Sequence, residues 1–269
     1  MYHVKNFITW WRRLPQNPIY LREKGEWGEP NPFYEKLSRY SPFVVMGALA
    51  LGGCGGISNP TIWAGDNEFL IYWCLLCLPA ILFTALTWFG VLMAPAVTAP
   101  TISLERSRGT WDMLRVTPIP DRDILLAKLF GGLARLRIWR LLLALSLLQG
   151  LIIAFGVGMA SEGLALTGAA VGLTTIIRPW LEVGFAAFAG MFISMWVQSA
   201  TMALSASYIA VVLMKLFNGS LTWTAVLGLF NQYEAILWAS SVGPTAVYAL
   251  AVALLWWGIG WRAERMSEE

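Results

Sequence analysis

The chain has 269 residues, of which 57% are hydrophobic and 13% charged, and its formal net charge is +3. A soluble domain carries about 25% charged residues, so the composition excludes an ordinary soluble protein and predicts an all-α integral membrane protein embedded in a lipid bilayer. The small positive charge does not indicate a nucleic-acid-binding protein, and we expect no nucleic acid among the partners.

Residues 1–41 are polar, aromatic and rich in proline, which predicts a cytoplasmic and interfacial segment. The start of the chain has no small-residue cleavage site after a short apolar run, so it does not resemble a secretory signal. Within it, PIYLREKGEW (18–27) combines apolar residues at helical spacing with Lys, Arg and Trp. This combination is typical of an amphipathic helix in the membrane interface. A plain cytoplasmic tail is the alternative.

Residues 42–261 are predicted to form a domain of six transmembrane helices, because six apolar runs approach the length needed to cross a bilayer. The predicted spans are about 42–58, 69–97, 138–160, 179–198, 200–217 and 242–261. Two stretches of mixed polarity, 161–178 and about 218–240, are interpreted as structure on the outer face, the former as an outer or re-entrant segment. Residues 262–269 form a polar cytoplasmic tail.

The first span contains Gly52-x-x-x-Gly56, a spacing that lets two helices approach closely. Packing across a dimer and packing within one protomer are both compatible with this motif.

The positions of the basic residues support six spans with both termini in the cytoplasm. With that topology, all 19 Lys and Arg residues except Arg178 and Lys215 fall on the side of the termini. Cytoplasmic loops of membrane proteins carry an excess of Lys and Arg. The chain is therefore predicted to be a multi-pass protein of the cell (inner or plasma) membrane.

The most polar stretch inside this apolar sequence is TISLERSRGTWDMLRVTPIPDRDILLAKL, residues 101–129. Its first half predicts one short helix over about 103–116, in which charged residues at spacings of three and four lie beside an apolar stripe. The charged residues are Glu105, Arg108, Asp112 and Arg115, and the stripe includes Trp111 and Leu114. Two prolines, Pro118 and Pro120, end this helix, and Asp121 is expected to cap the next one.

This segment resembles the signature of type-2 ABC transporter permeases, which runs from an acidic residue through Gly-Thr, Leu and Thr-Pro to Ile-Leu-x-x-Lys. The matching residues are Glu105, Gly109, Thr110, Leu114, Thr117, Pro118, Ile124, Leu125 and Lys128. Upstream, NPIYLREKGEW resembles the entry helix of that family through Asn17, Pro18, Ile19, Arg22 and Glu23. Trp111 and Met113 depart from the residues that are more usual there.

The resemblance implies a half-transporter that pairs with a second, identical or different, permease copy and binds a cytoplasmic ABC ATPase. The segment 103–116 would be the cytoplasmic coupling helix between spans two and three. Its expected coupling residues are Glu105, Arg108, Gly109, Thr110, Trp111, Asp112, Leu114, Arg115 and Pro118, with Trp111 and Leu114 as the buried apolar contacts with the ATPase.

The chain contains no G-x-x-x-x-G-K-[ST] motif for nucleotide phosphates. It is therefore not expected to be an enzyme or to hold a cofactor itself, and ATP and Mg²⁺ would lie on the partner ATPase. The expected activity is export of a small amphiphile, lipid or peptide. A non-transporting membrane subunit that anchors or assembles a larger complex is the alternative.

A membrane enzyme is a weaker third hypothesis, because His3 is the only histidine and no metal-ligand or catalytic cluster is evident. No metal site is expected. The remaining indication of a functional site is charge within the predicted membrane spans. Glu182, placed near the outer end of the fourth span, is expected to pair with Arg178 or to face a cavity, and Lys215 and Glu234 are interpreted in the same way.

Overall fold

The computed structural model describes residues 11–25, 36, 40, 67–116, 119–136, 138–159, 164–229 and 233–266. The secondary structure of these residues is helical, as predicted. A short 3-10 helix, Leu14–Gln16, precedes the first α-helix. The α-helices are α1 (Pro18–Lys24), α2 (Asn67–Thr98), α3 (Pro100–Ser107), α4 (Trp111–Arg115), α5 (Asp121–Ala134), α6 (Trp139–Gly158), α7 (Ala165–Ser194), α8 (Ala200–Gly228) and α9 (Tyr233–Met266).

Within the described residues, five stretches are long and apolar enough to cross a membrane. They are Pro79–Ser107, Trp139–Gly158, Ala165–Ser194, Ala200–Gly228 and Glu234–Arg265. These stretches correspond to the predicted second to sixth spans, so the chain has the character of a multi-pass, all-helical membrane protein. The predicted first span, with Gly52 and Gly56, lies outside the described residues.

Two outer segments predicted from the sequence are instead parts of membrane-length helices. Residues 165–178 belong to α7, and α8 and α9 extend to Gly228 and back to Tyr233. In α7 the low hydropathy has two local causes. Small residues take the place of large apolar ones, and two charged residues, Arg178 and Glu182, lie in the helix. The helix tolerates these charges because they form an i,i+4 ion pair.

Helix α7 is the centre of the bundle. Of its most apolar stretch, 56% is buried, against 17–39% for the other four candidate spans. It packs against α6, α9, α2 and α8.

Its contact with α6 depends on glycine. A Cβ on Gly168 would lie 2.6 Å from the Ala154 carbonyl oxygen, and one on Gly172 would lie 2.6 Å from that of Gly150. Gly168-x-x-x-Gly172 is therefore a close-packing motif in the described residues, and it was not predicted from the sequence.

At one end of the bundle lie α1, α3, α4, α5, the turn after α7 and the end of α9. We call this end the basic end. Helix α1 crosses α5 so closely that a Cβ on Gly131 would lie 2.9 Å from the Tyr20 carbonyl oxygen. The Arg262 guanidinium lies 4.6 Å from the ring centroid of Trp196, joining the end of α9 to the turn after α7. The N-terminal helix predicted from residues 18–27 is thus present as α1.

Candidate functional site

The segment predicted as a single coupling helix is two helices separated by a glycine turn. Helix α3 ends at Ser107, and Gly109 has a φ of 68°, in the left-handed region. The N–H of Thr110 donates to the Glu105 carbonyl, and the N–H of Gly109 donates to that of Arg106. This pair of bonds is the Schellman ending of a helix. The prediction of one helix over 103–116 is therefore wrong, and its continuous charged face does not form.

The next helix also begins differently from the prediction. Pro120 occupies the N-cap position of α5, and Asp121 is its first residue rather than its cap. Asp121 and Asp123 lie in the first turn, where a carboxylate interacts favourably with the helix dipole. Burial raises the pKa of the Asp123 carboxyl above its ordinary value, and the adjacent Arg122 guanidinium opposes this shift.

Trp111 is not available to a partner in this structure. Its side chain is 5% exposed and belongs to the chain's own hydrophobic core, against which Leu114 also packs. Within this chain both residues therefore pack inward, and their role as the apolar contacts with the ATPase stays a prediction. Tryptophan has more apolar surface to bury than its neighbours, and the helix break at Gly109 lets α4 turn it inward.

The residues exposed around the Gly109 turn, on α4 and directly after it form a different surface, which we call the exposed tip. It consists of Ser107, Arg108, Gly109, Thr110, Met113 and Val116. Met113 is 75% exposed and Val116 is 87% exposed. Of the other predicted coupling residues, Asp112 and Arg115 are described only as backbone of α4, and Pro118 lies outside the described residues.

Helix α3 is tied to the end of α7 by hydrogen bonds. The Ser194 hydroxyl oxygen accepts from the backbone N–H groups of Ile102 at 3.2 Å and Ser103 at 3.0 Å. The Arg106 guanidinium donates to the Met195 carbonyl at 2.9 Å. Since α3 also continues α2 after a one-residue break at Ala99, the exposed tip is connected to two membrane-length helices at once.

A buried ion triplet ties the same segment to the N-terminal helix. Lys128 of α5 is 1% exposed, and its Nζ lies 2.6 Å from Glu105 Oε1 and 3.1 Å from Glu23 Oε1. Glu105, a predicted coupling residue, therefore faces its own chain. Its second carboxylate oxygen has no hydrogen-bond partner within the described residues. All three residues lie in segments whose sequence resembles type-2 ABC permeases, but that resemblance gave no reason to expect them to meet.

A second charged cluster lies among α2, α7 and α8. The predicted pair is present, with Arg178 Nε 2.9 Å from Glu182 Oε1, and Lys215 Nζ lies 2.7 Å from Glu182 Oε2. Glu182 is not near the outer end of its helix. It follows the start of α7 at Ala165 by 17 residues and precedes its end at Ser194 by 12, because α7 begins earlier than predicted.

These three side chains line a cavity of about 320 Å³, which we call the charged cavity. Its other walls are Thr87 and Trp88 with neighbouring residues of α2, and a turn of α7 around Pro179. Lys215 Nζ lies 4.1 Å from the ring centroid of Trp88, a favourable cation–π distance. Arg178 and Lys215, the two bases that the charge distribution placed away from the cytoplasm, thus meet inside the bundle.

Glu234 has a structural contact at the opposite end of the molecule. The Thr167 hydroxyl donates to Glu234 Oε1 at 3.0 Å, and the Trp238 indole N–H donates to the Thr167 oxygen at 3.2 Å. These bonds join the beginnings of α7 and α9. Across the described part of the chain, no three His, Cys, Asp or Glu side chains are grouped in a way that could hold a metal ion.

No model of a known protein family, no curated protein and no solved structure matches the chain. A function for it rests on the residues and the geometry of the exposed tip, the ion triplet and the charged cavity.

Proposed function

We propose that the chain is the membrane permease subunit of an ABC transporter. It acts with a second permease copy and a separate cytoplasmic ATPase, and it exports a small amphiphile, lipid or peptide. The basic end and both termini face the cytoplasm. The observation that carries this proposal is the attachment of the exposed tip to α7, the helix at the centre of the bundle, through Ser194 and Met195.

The chemistry of the exposed tip supports a protein partner. Met113 and Val116 expose apolar surface at the basic end, next to the exposed Arg108. Apolar groups surrounded by polar ones are typical of protein contact sites. The sequence of this segment resembles the coupling region of type-2 ABC permeases, which indicates an ATPase as the partner.

The connections of the tip support transmission of a movement into the membrane. A displacement of α3 would be passed to α2 by chain continuity and to α7 by the three hydrogen bonds at its end. Helices α2 and α7 both line the charged cavity. Closure of a nucleotide-bound ATPase pair would therefore change the shape of this cavity by a rigid movement of packed helices. ATP and Mg²⁺ belong to the ATPase, because this chain has no phosphate-binding motif.

The test is co-purification from the native host of the tagged chain with a subunit that hydrolyses ATP. The variant carries Met113→Asp and Val116→Asp, which place two charges in the proposed contact without touching the core. Removal of a contact residue of this kind costs about 2 kcal/mol or more, roughly a thirtyfold loss of affinity, so recovery of the ATPase should fall by at least that factor. Met159→Asp is the control, because Met159 is 83% exposed and lies at the opposite end.

Equal recovery of the ATPase with both variants would overturn the assignment of the tip. If the ATPase binds through the tip but the complex moves no amphiphile, lipid or peptide across a vesicle membrane, the non-transporting alternative replaces the transporter.

A further inference from the structure

The charged cavity contains more positive than negative charge. Arg178 and Lys215 share the single carboxylate of Glu182, so the formal charge of the three groups is +1. At 1.5 Å per residue, Glu182 lies about 18 Å along α7 from its basic end, and Lys215 lies about 22 Å along α8. Both positions are near the middle of a bilayer core about 30 Å thick. A charge at this depth is costly unless it is paired.

The hydrogen-bond donors that remain free in this cavity are cationic. Arg178 contacts Glu182 through Nε alone, and within the described residues its two terminal nitrogens make no hydrogen bond. Lys215 donates once, to Glu182. The hydroxyls of Thr87 and Thr175 instead donate to backbone carbonyls of their own helices. The cavity thus offers guanidinium and ammonium N–H groups, which favour an anion that accepts several hydrogen bonds.

The two cationic side chains are also more exposed than the carboxylate. The side chain of Glu182 is 7% exposed, whereas those of Lys215 and Arg178 are 20% and 39% exposed. A ligand entering the cavity therefore meets the two cations before it meets the carboxylate. Trp88, beside Lys215, is 46% exposed, so an apolar chain attached to the ligand could extend along α2 and out of the bundle.

We propose that the charged cavity binds the anionic head group of an amphiphile, a carboxylate or a phosphate, between Arg178 and Lys215. The apolar part of the ligand contacts Phe83 and Trp88 at the cavity wall. A volume of about 320 Å³ accommodates a head group with a short part of its chain. That the ligand is the transported substrate rests on the proposed function, but the binding itself requires no ATPase.

The experiment measures binding of radiolabelled laurate to the purified chain in nanodiscs of zwitterionic phosphatidylcholine, with dodecylammonium as competitor of opposite charge. Lys215→Met and Arg178→Met should each weaken laurate binding about tenfold, as expected for loss of a hydrogen bond to a charged group. Glu182→Gln should strengthen it, because the amide no longer competes with the ligand for the two cations. Arg140→Met, which removes an exposed base at the basic end, should leave it unchanged.

The gain expected for Glu182→Gln separates a binding site from a structural ion cluster, in which the same change would loosen the bundle and weaken binding. Unchanged affinity in the Lys215 and Arg178 variants, weaker binding in Glu182→Gln, or displacement by dodecylammonium as effective as by unlabelled laurate would each overturn the proposal.

A second arm replaces part of the phosphatidylcholine by phosphatidylglycerol. If laurate binding is lost in those nanodiscs and neither Lys215→Met nor Arg178→Met restores it, phosphatidylglycerol competes for the cavity. A membrane lipid is then the source of the head group. Retained binding identifies a free amphiphile. If laurate binds as described but no subunit that hydrolyses ATP co-purifies with the chain, the cavity stands as a binding site and the transporter assignment fails.

Discussion

Lys128 is the residue on which the arrangement of the basic end most depends. It is buried in α5 and neutralises carboxylates from α1 and α3, which are 105 and 23 residues away in the chain. A buried ion group of this kind adds little to stability over an apolar packing, but removal of one member leaves uncompensated charge. Its effect is therefore to specify which helices meet.

Lys128→Met tests this at the residue scale. We expect it to lower the free energy of unfolding by about 3 kcal/mol, because Glu23 and Glu105 would then face each other without a cation. Loss of the helical circular dichroism signal on heating in mild detergent gives the measurement. Adding Glu105→Gln should restore part of the loss, since the amide carries no charge, whereas Arg140→Met should change little. A Lys128→Met protein as stable as the wild type would contradict the expected cost of leaving Glu23 and Glu105 without a cation.

At the scale of elements, the helices that were hardest to interpret from the sequence are those joined through glycine. Helices α6 and α7 approach so closely that backbone atoms of one would contact a side chain added to the other. In a membrane, where lipid chains are as apolar as leucine, such close packing is a main source of helix association. The low hydropathy of 165–178 reflects this contact rather than exposure to water.

Gly168→Ala is the matching test. Its Cβ would lie 2.6 Å from the Ala154 carbonyl oxygen and 2.7 Å from the Gly158 nitrogen, both backbone atoms that cannot move aside independently. Overpacking of this kind costs about 1–3 kcal/mol, which should appear as a lower midpoint of thermal unfolding. Gly156→Ala is the control on the same helix pair, because nothing lies within 4 Å of a Cβ at that position. Equal effects of the two changes would show that the close α6–α7 contact does not determine the thermal stability of the protein.

At the scale of the whole molecule, the arrangement requires the basic end and the turn after α6 to lie on opposite sides of the membrane. In a background with Cys54, Cys74 and Cys77 replaced by alanine, Met159→Cys should react with an impermeant maleimide added to intact cells. Ser107→Cys should react only after the cells are opened, because the exposed tip would lie in the cytoplasm. Labelling of Ser107→Cys from outside would reverse the topology and remove the tip from reach of ATP-dependent subunits.

The sequence alone determined the features that depend on neighbours in the chain. Hydropathy located five of the candidate spans, the cost of charge within the membrane predicted that Glu182 pairs with the nearby Arg178 or faces a cavity, and proline with basic and aromatic residues predicted α1. Local patterns are reliable here because an apolar helix satisfies its own backbone hydrogen bonds in lipid.

The tertiary structure decided the rest. The inward position of Trp111, the meeting of Lys128 with Glu23 and the contact of Lys215 with Glu182 join residues on different helices. So does the close packing at Gly168. None of these has a periodic signal, since each depends on which helix faces which. The sequence supplied the helices, the charges and the resemblance to a permease. The packing of α7 against its neighbours placed three of those charges in a cavity, and the helix break at Gly109 turned Trp111 away from the surface.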